Sequence, residues 1–279
     1  MTSSPTLTFN DGNTIPQLGY GVWQVEDEVA EKVVRQAFEA GYRHIDTAKI
    51  YGNESGVGRA IASSGLSAEE IFITTKLWNA DQGYESTLAA FEESMDRLGL
   101  ETLDLYLIHW MQPKQDKYVD TWKALIELQK RGRVKSIGVS NFTIEGLQRI
   151  IDETDVVPAI HQVELHPFFN QSELRAFNTS KGILTQAWSP LGQGGEVLEN
   201  ATIAEIAAKH HATPAQVIIA WHLAIGNVVI PKSVTESRIK ENFAALTVKL
   251  DEADVEAING LDRGAEGRIG ADPAVSDFA

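Results

Sequence analysis

Cysteine is absent from the 279-residue chain, which excludes a disulfide framework, a thiolate metal site and a cysteine nucleophile. Positive charge is scarce: 24 lysines and arginines stand against 39 acidic residues, for a formal charge of −15. No nucleic acid partner is expected, because holding a polyphosphate chain needs a basic face. Long apolar runs are missing too. The longest, such as 217–220 and 228–231, fall far short of the roughly 20 residues of a membrane-spanning helix. The opening Met1-Thr-Ser-Ser-Pro5 has neither the basic nor the apolar region of a signal peptide. The expectation is a cytoplasmic protein with no membrane contact.

Hydrophobic residues make up 43% of the chain, enough to build a large core and exclude disorder. Two kinds of segment alternate along it. Short apolar runs at 18–22, 42–46, 71–76, 103–109, 136–140, 159–163, 183–187 and 228–230 read as strands buried on both faces. Amphipathic stretches read as helices at 28–40, 56–64, 85–98, 118–131, 144–152, 172–180, 202–210 with 214–225, and 236–244. Eight successive βα units predict an α/β fold, a closed (β/α)8 TIM barrel rather than an open sheet. Segments 7–9 and 14–15 around Asn10-Asp-Gly-Asn13 predict a hairpin that plugs the barrel bottom. An extra helix at 251–261 and a loop tail from 263 to 279 complete a single domain over residues 1–279. No apolar face is left over once the helices pack, so a monomer is expected.

In such a barrel the functional groups gather at the C-terminal ends of the strands. Here those ends carry Asp46, Lys76, His109, Ser140-Asn141, Gln162, Trp188-Ser189 and Lys232-Ser233. Asp46 and Lys76 have opposite charge on neighbouring strands and can pair. Tyr51, five residues beyond Asp46, can reach back over the mouth. At roughly 4 Å and an effective dielectric near 20, an ammonium attracts a phenolate by about 4 kcal/mol. The sequence reading therefore expects the Tyr51 hydroxyl to be drawn from about 10 towards neutrality, where it serves as a general acid. His109 is placed to orient a carbonyl oxygen.

No Gly-x-Gly-x-x-Gly follows a strand; Gly192-Gln-Gly-Gly195 comes nearest and has the wrong spacing, so a dinucleotide must bind in another way. Lys232, Ser233 and Arg238 supply one, two cations at a strand end and the helix it enters, suited to an additional phosphate. His161-Gln-Val-Glu-Leu-His166 resembles a metal motif, but residues an odd number apart on a strand face opposite sides, and no metal is expected. His210-His211 is expected to be solvated at a helix end. Trp23, Trp78 and Trp110 each follow a strand end and are read as walls of an apolar substrate pocket.

Three blocks carry a resemblance that spans nearly the whole chain: Gly41-Tyr-Arg-His-Ile-Asp46-Thr-Ala with Tyr51-Gly-Asn-Glu54 and Val57-Gly58, Ile137-Gly-Val-Ser-Asn-Phe142, and Ile230-Pro-Lys-Ser233 with Arg238 and Glu241-Asn242. They resemble the aldo-keto reductase superfamily. Gln17-Leu-Gly-Tyr-Gly-Val22, Thr74-Thr-Lys-Leu-Trp78 and Trp188-Ser-Pro-Leu-Gly192 bring the likeness close to bacterial 2,5-diketo-gluconate reductases. The resemblance implies NADPH-dependent reduction of a small-molecule carbonyl substrate, with Tyr51 as proton donor, Asp46 and Lys76 tuning it, and His109 positioning the carbonyl. It also implies that Ser140, Asn141 and Gln162 hold the nicotinamide carboxamide, and that Trp188 stacks on the ring where many relatives have tyrosine. Ser189, Leu191 and Gln193 would cover the pyrophosphate, while Lys232, Ser233, Arg238, Glu241 and Asn242 would hold the adenosine end. Two positions depart from the family pattern: Met111 replaces the proline of His-Trp-Pro, and Ser55 replaces a second acidic residue. A non-catalytic, cofactor-binding regulatory subunit is the alternative, which the intact Asp46, Tyr51, Lys76 and His109 set argues against.

Overall fold

The computed structural model describes residues 3–278; of the expected span 1–279, Met1, Thr2 and Ala279 lie outside the described residues. A short antiparallel hairpin, β1 (Thr6–Thr8) and β2 (Thr14–Pro16), precedes eight parallel strands. These are β3 (Tyr20–Gly21), β4 (His44–Asp46), β5 (Phe72–Leu77), β6 (Leu103–Ile108), β7 (Val134–Ser140), β8 (Ile160–Glu164), β9 (Leu184–Trp188) and β10 (Val228–Val229). They pair in chain order from β3 to β10. A parallel bridge between Leu18 and Val229 joins the two ends, with the Gly19 amide donating to the Val229 carbonyl at 2.9 Å and the Gly21 amide to that of Pro231 at 3.2 Å. The sheet thereby closes into the expected barrel.

The helices lie between the strands: α1 (Asp27–Ala40), α2 (Glu54–Ser63), α3 (Tyr84–Leu98), α4 (Tyr118–Lys130), α5 (Ile144–Thr154), α6 (Ser172–Ser180), α7 (Ala201–Lys209), α8 (Pro214–Ala224) and α9 (Glu236–Ala244). α10 (Glu252–Asn259) and a tail follow. Local chemistry sets several boundaries. Gly41 ends α1 at φ 114°, where an added Cβ would lie 2.6 Å from the Phe243 ring, so glycine is required there. α8 starts with a capping box of Thr213 and Gln216 and a proline in its first turn. Strand and helix bounds agree with the sequence reading to within one or two residues at most ends.

Strand alternation decides which side chains enter the barrel. The inward residues Phe72, Leu105, Leu107, Ile160 and Val228 pack with Phe9 and Ile15 of the hairpin, which plugs the bottom as expected. Continuing the same two-residue step along β5 from Phe72 passes Thr74 and arrives at Lys76. On β6 it leads from Leu107 to His109, on β8 from Ile160 to Gln162 and Glu164, and on β9 from Gln186 to Trp188. One parity therefore fills the floor with hydrocarbon and the mouth with polar groups.

Candidate active site

Lys76 is fully buried and Asp46 nearly so. Lys76 Nζ lies 2.5 Å from Asp46 Oδ1, 2.9 Å from the Thr47 carbonyl and 3.4 Å from the Tyr51 hydroxyl. Asp46 uses its second oxygen to accept from Gln162 Nε2 at 2.7 Å. His109 sets its ring edge-on to Tyr51 with centroids 5.6 Å apart, and to Trp78 at 5.3 Å. The structure thus brings Asp46, Tyr51, Lys76 and His109 into one cluster, as the strand-end reading expected.

The electrostatics differ from that expectation in sign at Tyr51. Burial drives the hydroxyl above its ordinary value; Lys76 pulls it down but does not overcome this, and Asp46 pushes it up further. The expected shift towards neutrality is corrected: desolvation, invisible in a sequence, outweighs the ammonium. Lys76 itself is held charged. Burial opposes its ionisation, yet the Asp46 carboxylate and Tyr51 raise its value above that of a free lysine. His109 is pushed well below the ordinary histidine range, first by burial and then by the Lys76 charge, so its imidazole is neutral. One of its ring nitrogens, Nδ1, is buried without a partner.

Tyr51 is delivered by a turn that is fastened from behind. Asn53 is fully buried; it accepts from the Thr47 hydroxyl at 2.7 Å and donates to the Val22 and Val25 carbonyls at 2.9 and 2.8 Å. This residue was not singled out from sequence, although it stands in the Tyr51-Gly-Asn-Glu54 block.

Around the rest of the mouth, Ser140, Asn141 and Gln162 converge. Asn141 has left-handed backbone, φ 54°, and donates to the His109 carbonyl and to Ser140 Oγ, both at 3.0 Å. Its Oδ1 accepts from Trp188 Nε1 at 2.9 Å. A cleft of about 400 Å³ lined by Asn141, Glu164, Phe169, Trp188 and Arg268, among others, opens beside them. The tail is fixed here by a residue that sequence reading did not assign. Glu164, 2% exposed, accepts from the Ile269 and Gly270 amides at 2.6 and 2.8 Å and pairs with His166 Nε2 at 3.1 Å. Gly270 runs so close to Trp188 that a Cβ there would lie 2.6 Å from the indole ring.

Further round, Ser189 has left-handed backbone, φ 47°, as does Gln193, φ 55°; Gln193 is exposed and Leu191 half-buried against the core. Lys232 and Arg238 are exposed, and neither forms an ion pair among the described residues. The Ser233 carbonyl accepts from the Tyr20 hydroxyl. Asn242 is buried, and Glu241 Oε1 accepts from the Thr213 hydroxyl at 2.8 Å. Glu241 is therefore anchored towards α8.

Trp78 and Trp110 meet through the tail: the Phe278 ring lies 6.1 Å from Trp78 and 5.0 Å from Trp110, and Asn79 Nδ2 donates to the Phe278 carbonyl at 2.9 Å. Trp23 stands 42% exposed on the outer rim. His161 faces away from the mouth, accepting from the Phe142 amide at 3.1 Å and lying 3.3 Å from Asn178 Oδ1. Among the described residues no group of three histidine or carboxylate side chains could hold a metal, and no helix is long and apolar enough to cross a membrane. His210, expected to be solvated, instead packs half-buried with Nε2 2.7 Å from Asp254 Oδ2.

The sequence profile of the Aldo/keto reductase family matches residues 16–263. The chain is 54% identical over 275 residues, 99% of each chain, to an aldo-keto reductase of Mycolicibacterium smegmatis. It is 52% identical over 273 residues, 97% of this chain and 98% of the other, to the methylglyoxal reductase DkgA of Salmonella typhimurium. The crystal structure of a Gox0644 mutant in complex with NADPH superimposes with a TM-score of 0.95 at 51% identity, over 99% of this chain and 100% of that one.

Proposed function

This chain belongs to the aldo/keto reductase family, and we propose that it reduces small aldehydes and ketones with NADPH, using Tyr51 as the proton donor. The observation that carries this reading is the buried Lys76 bonded at once to Asp46 and to the Tyr51 hydroxyl, with the neutral His109 ring against Tyr51.

The residues present fit the cofactor. Lys232 and Arg238 are exposed cations, without ion-pair partners among the described residues, where the chain enters α9, suited to the 2′-phosphate. Trp188 offers a half-buried indole face at the end of β9. Ser140, Asn141 and Gln162 would hold the carboxamide, and Ser189, Leu191 and Gln193 the pyrophosphate. When bound, the dihydronicotinamide supplies a hydride to the carbonyl carbon.

The chain's own groups handle the oxygen. Tyr51 stays protonated at neutral pH because burial raises its value, and a proton donor must carry its proton. As the carbonyl oxygen gains charge it takes the Tyr51 proton, and the resulting phenolate is stabilised by Lys76. Asp46 keeps that ammonium in place and charged. Neutral His109 offers an N–H to the same oxygen, so two preorganised donors meet the developing alkoxide. Trp78, Trp110 and Phe278 form an apolar wall, with Trp23 at the outer rim. A small dicarbonyl such as methylglyoxal is the substrate class we favour, as DkgA is named for it, with keto-sugar acids such as 2,5-diketo-gluconate next.

Tyr51→Phe tests the reading. It removes one hydroxyl and should lower kcat by roughly 10²–10⁴-fold with NADPH affinity unchanged. NADPH oxidation with methylglyoxal, keto-sugar acids and aromatic aldehydes would rank kcat/KM. A near wild-type rate in the variant would reject Tyr51 as donor.

A further inference from the structure

The turn that carries Tyr51 is tied to α3 at both ends. At one end Lys49 Nζ pairs with Glu93 at 3.0 Å, and with Asp81 at 2.9 Å. At the other, Glu54, the first residue of α2, places Oε2 2.8 Å from Arg97 Nε. Glu93 and Arg97 stand one turn apart on α3 and approach each other at 3.9 Å. Glu54 is 1% exposed. Its other oxygen accepts from the Thr75 hydroxyl at 2.5 Å, and Thr75 immediately precedes Lys76. One buried carboxylate therefore joins the helix start beyond Tyr51 to the strand position beside the lysine that bonds it.

Ordinary packing does not call for this arrangement. A glutamate in the first turn of a helix normally faces the free amides, but this one spends both oxygens on other elements, Thr75 of β5 and Arg97 of α3. Burying a charge is costly, and an apolar pair of similar size would hold two helices together as well. What an apolar pair lacks is direction: two hydrogen bonds from β5 and α3 fix the α2 start along two axes.

We infer that Glu54 is a positioning residue for the proton donor, holding the Tyr51 turn at the distance from Lys76 that the reaction requires, with Arg97 as its counter-ion. The inference rests on the reading of Tyr51 as donor. Groups facing the Tyr51 hydroxyl are Lys76 from β5, Asp46 from β4 and His109 beyond β6; Glu54 touches none of them and acts through the turn.

Glu54→Gln keeps the size and the Thr75 contact while removing the charge that orients Arg97. Misplacing a reacting group by about 1 Å can cost roughly 10²-fold, so a kcat lowered by roughly 10- to 100-fold is expected. KM for methylglyoxal and the NADPH Kd from fluorescence quenching should be unchanged, because only a transition-state contact is loosened. The pH profile of kcat should shift with it. A wild-type kcat and pH profile in Glu54→Gln, whatever happens to its Tm, would overturn the inference, provided Tyr51→Phe is inactive. An active Tyr51→Phe would instead remove the donor reading itself. If Glu54→Gln fails to fold, Arg97→Lys carries the test, since it keeps the cation but loses the Nε donor. A reduced kcat at unchanged Kd supports the inference, and a wild-type kcat in Arg97→Lys refutes it.

Discussion

The indole Nε1 of Trp188 donates to Oδ1 of Asn141 across the barrel mouth, at 2.9 Å. Asn141 has both its amide hydrogens engaged, by the His109 carbonyl and Ser140 Oγ, so one lone pair of Oδ1 is what it has left to offer. Gly270 presses on the far edge of the same indole. The ring is held at both ends before any cofactor arrives. A tyrosine or phenylalanine at this position could stack equally well but has no ring N–H to give.

Trp188→Phe should therefore keep a stacking surface and lose the bond that fixes its plane. One net hydrogen bond is worth about 0.5–1.5 kcal/mol, roughly 2- to 12-fold in affinity. NADPH Kd measured by titration calorimetry should rise within that range, with the fold intact by circular dichroism. An unchanged Kd would show that the bond does not preorganise the site.

Four buried histidines predict acid sensitivity. Burial holds His44 and His222 at about 3, and His161 at about 4; His109 also lies well below the ordinary range. In the unfolded chain each takes up a proton near 6.5, and in the folded chain it does not. The unfolded state then binds more protons, so their contribution is complete above about pH 6.5 and is lost as pH falls towards 4. Each histidine costs about 1.4 kcal/mol per pH unit in that window. Urea midpoints at about pH 7.5, 6 and 5 should fall steeply, and a flat series would refute neutral burial. The profile of kcat/KM should show no inflection near 6.5; one that His109→Gln abolishes would mean that His109 titrates.

Arg238 predicts cofactor choice. A charge-assisted bond to the 2′-phosphate would make Arg238→Gln weaken NADPH roughly tenfold or more. NADH, which has no such phosphate, should barely change. Equal losses for the two nucleotides at fixed ionic strength would refute phosphate recognition by this residue.

Much of this was legible in sequence because alternation in a buried strand is rigid. Once Phe72 faces inward, so must Lys76, and the barrel, plug and reacting cluster follow from such steps. The sign of the Tyr51 shift was not legible. Spacing gives a distance to an ammonium but not the water removed from a hydroxyl, and here the second effect is larger. Contacts made by the tail were equally hidden. Glu164 reads as one acidic letter between two histidines, and only the folded chain brings the Ile269 and Gly270 amides to it. The same holds for Glu54, whose partner Arg97 is distant in the chain.

The seam between Leu18 and Val229 has a consequence for how the chain is made. Every other neighbouring pair of barrel strands is consecutive in sequence and can zip as it leaves the ribosome. The seam cannot form until residue 229 has been translated, so for most of its synthesis the sheet carries two unsatisfied edges, at β3 and at the newest strand. Open strand edges invite pairing between chains. A nascent or truncated chain that stops short of β10 is thus the aggregation-prone species, and the final strand acts as the cap that removes both edges at once.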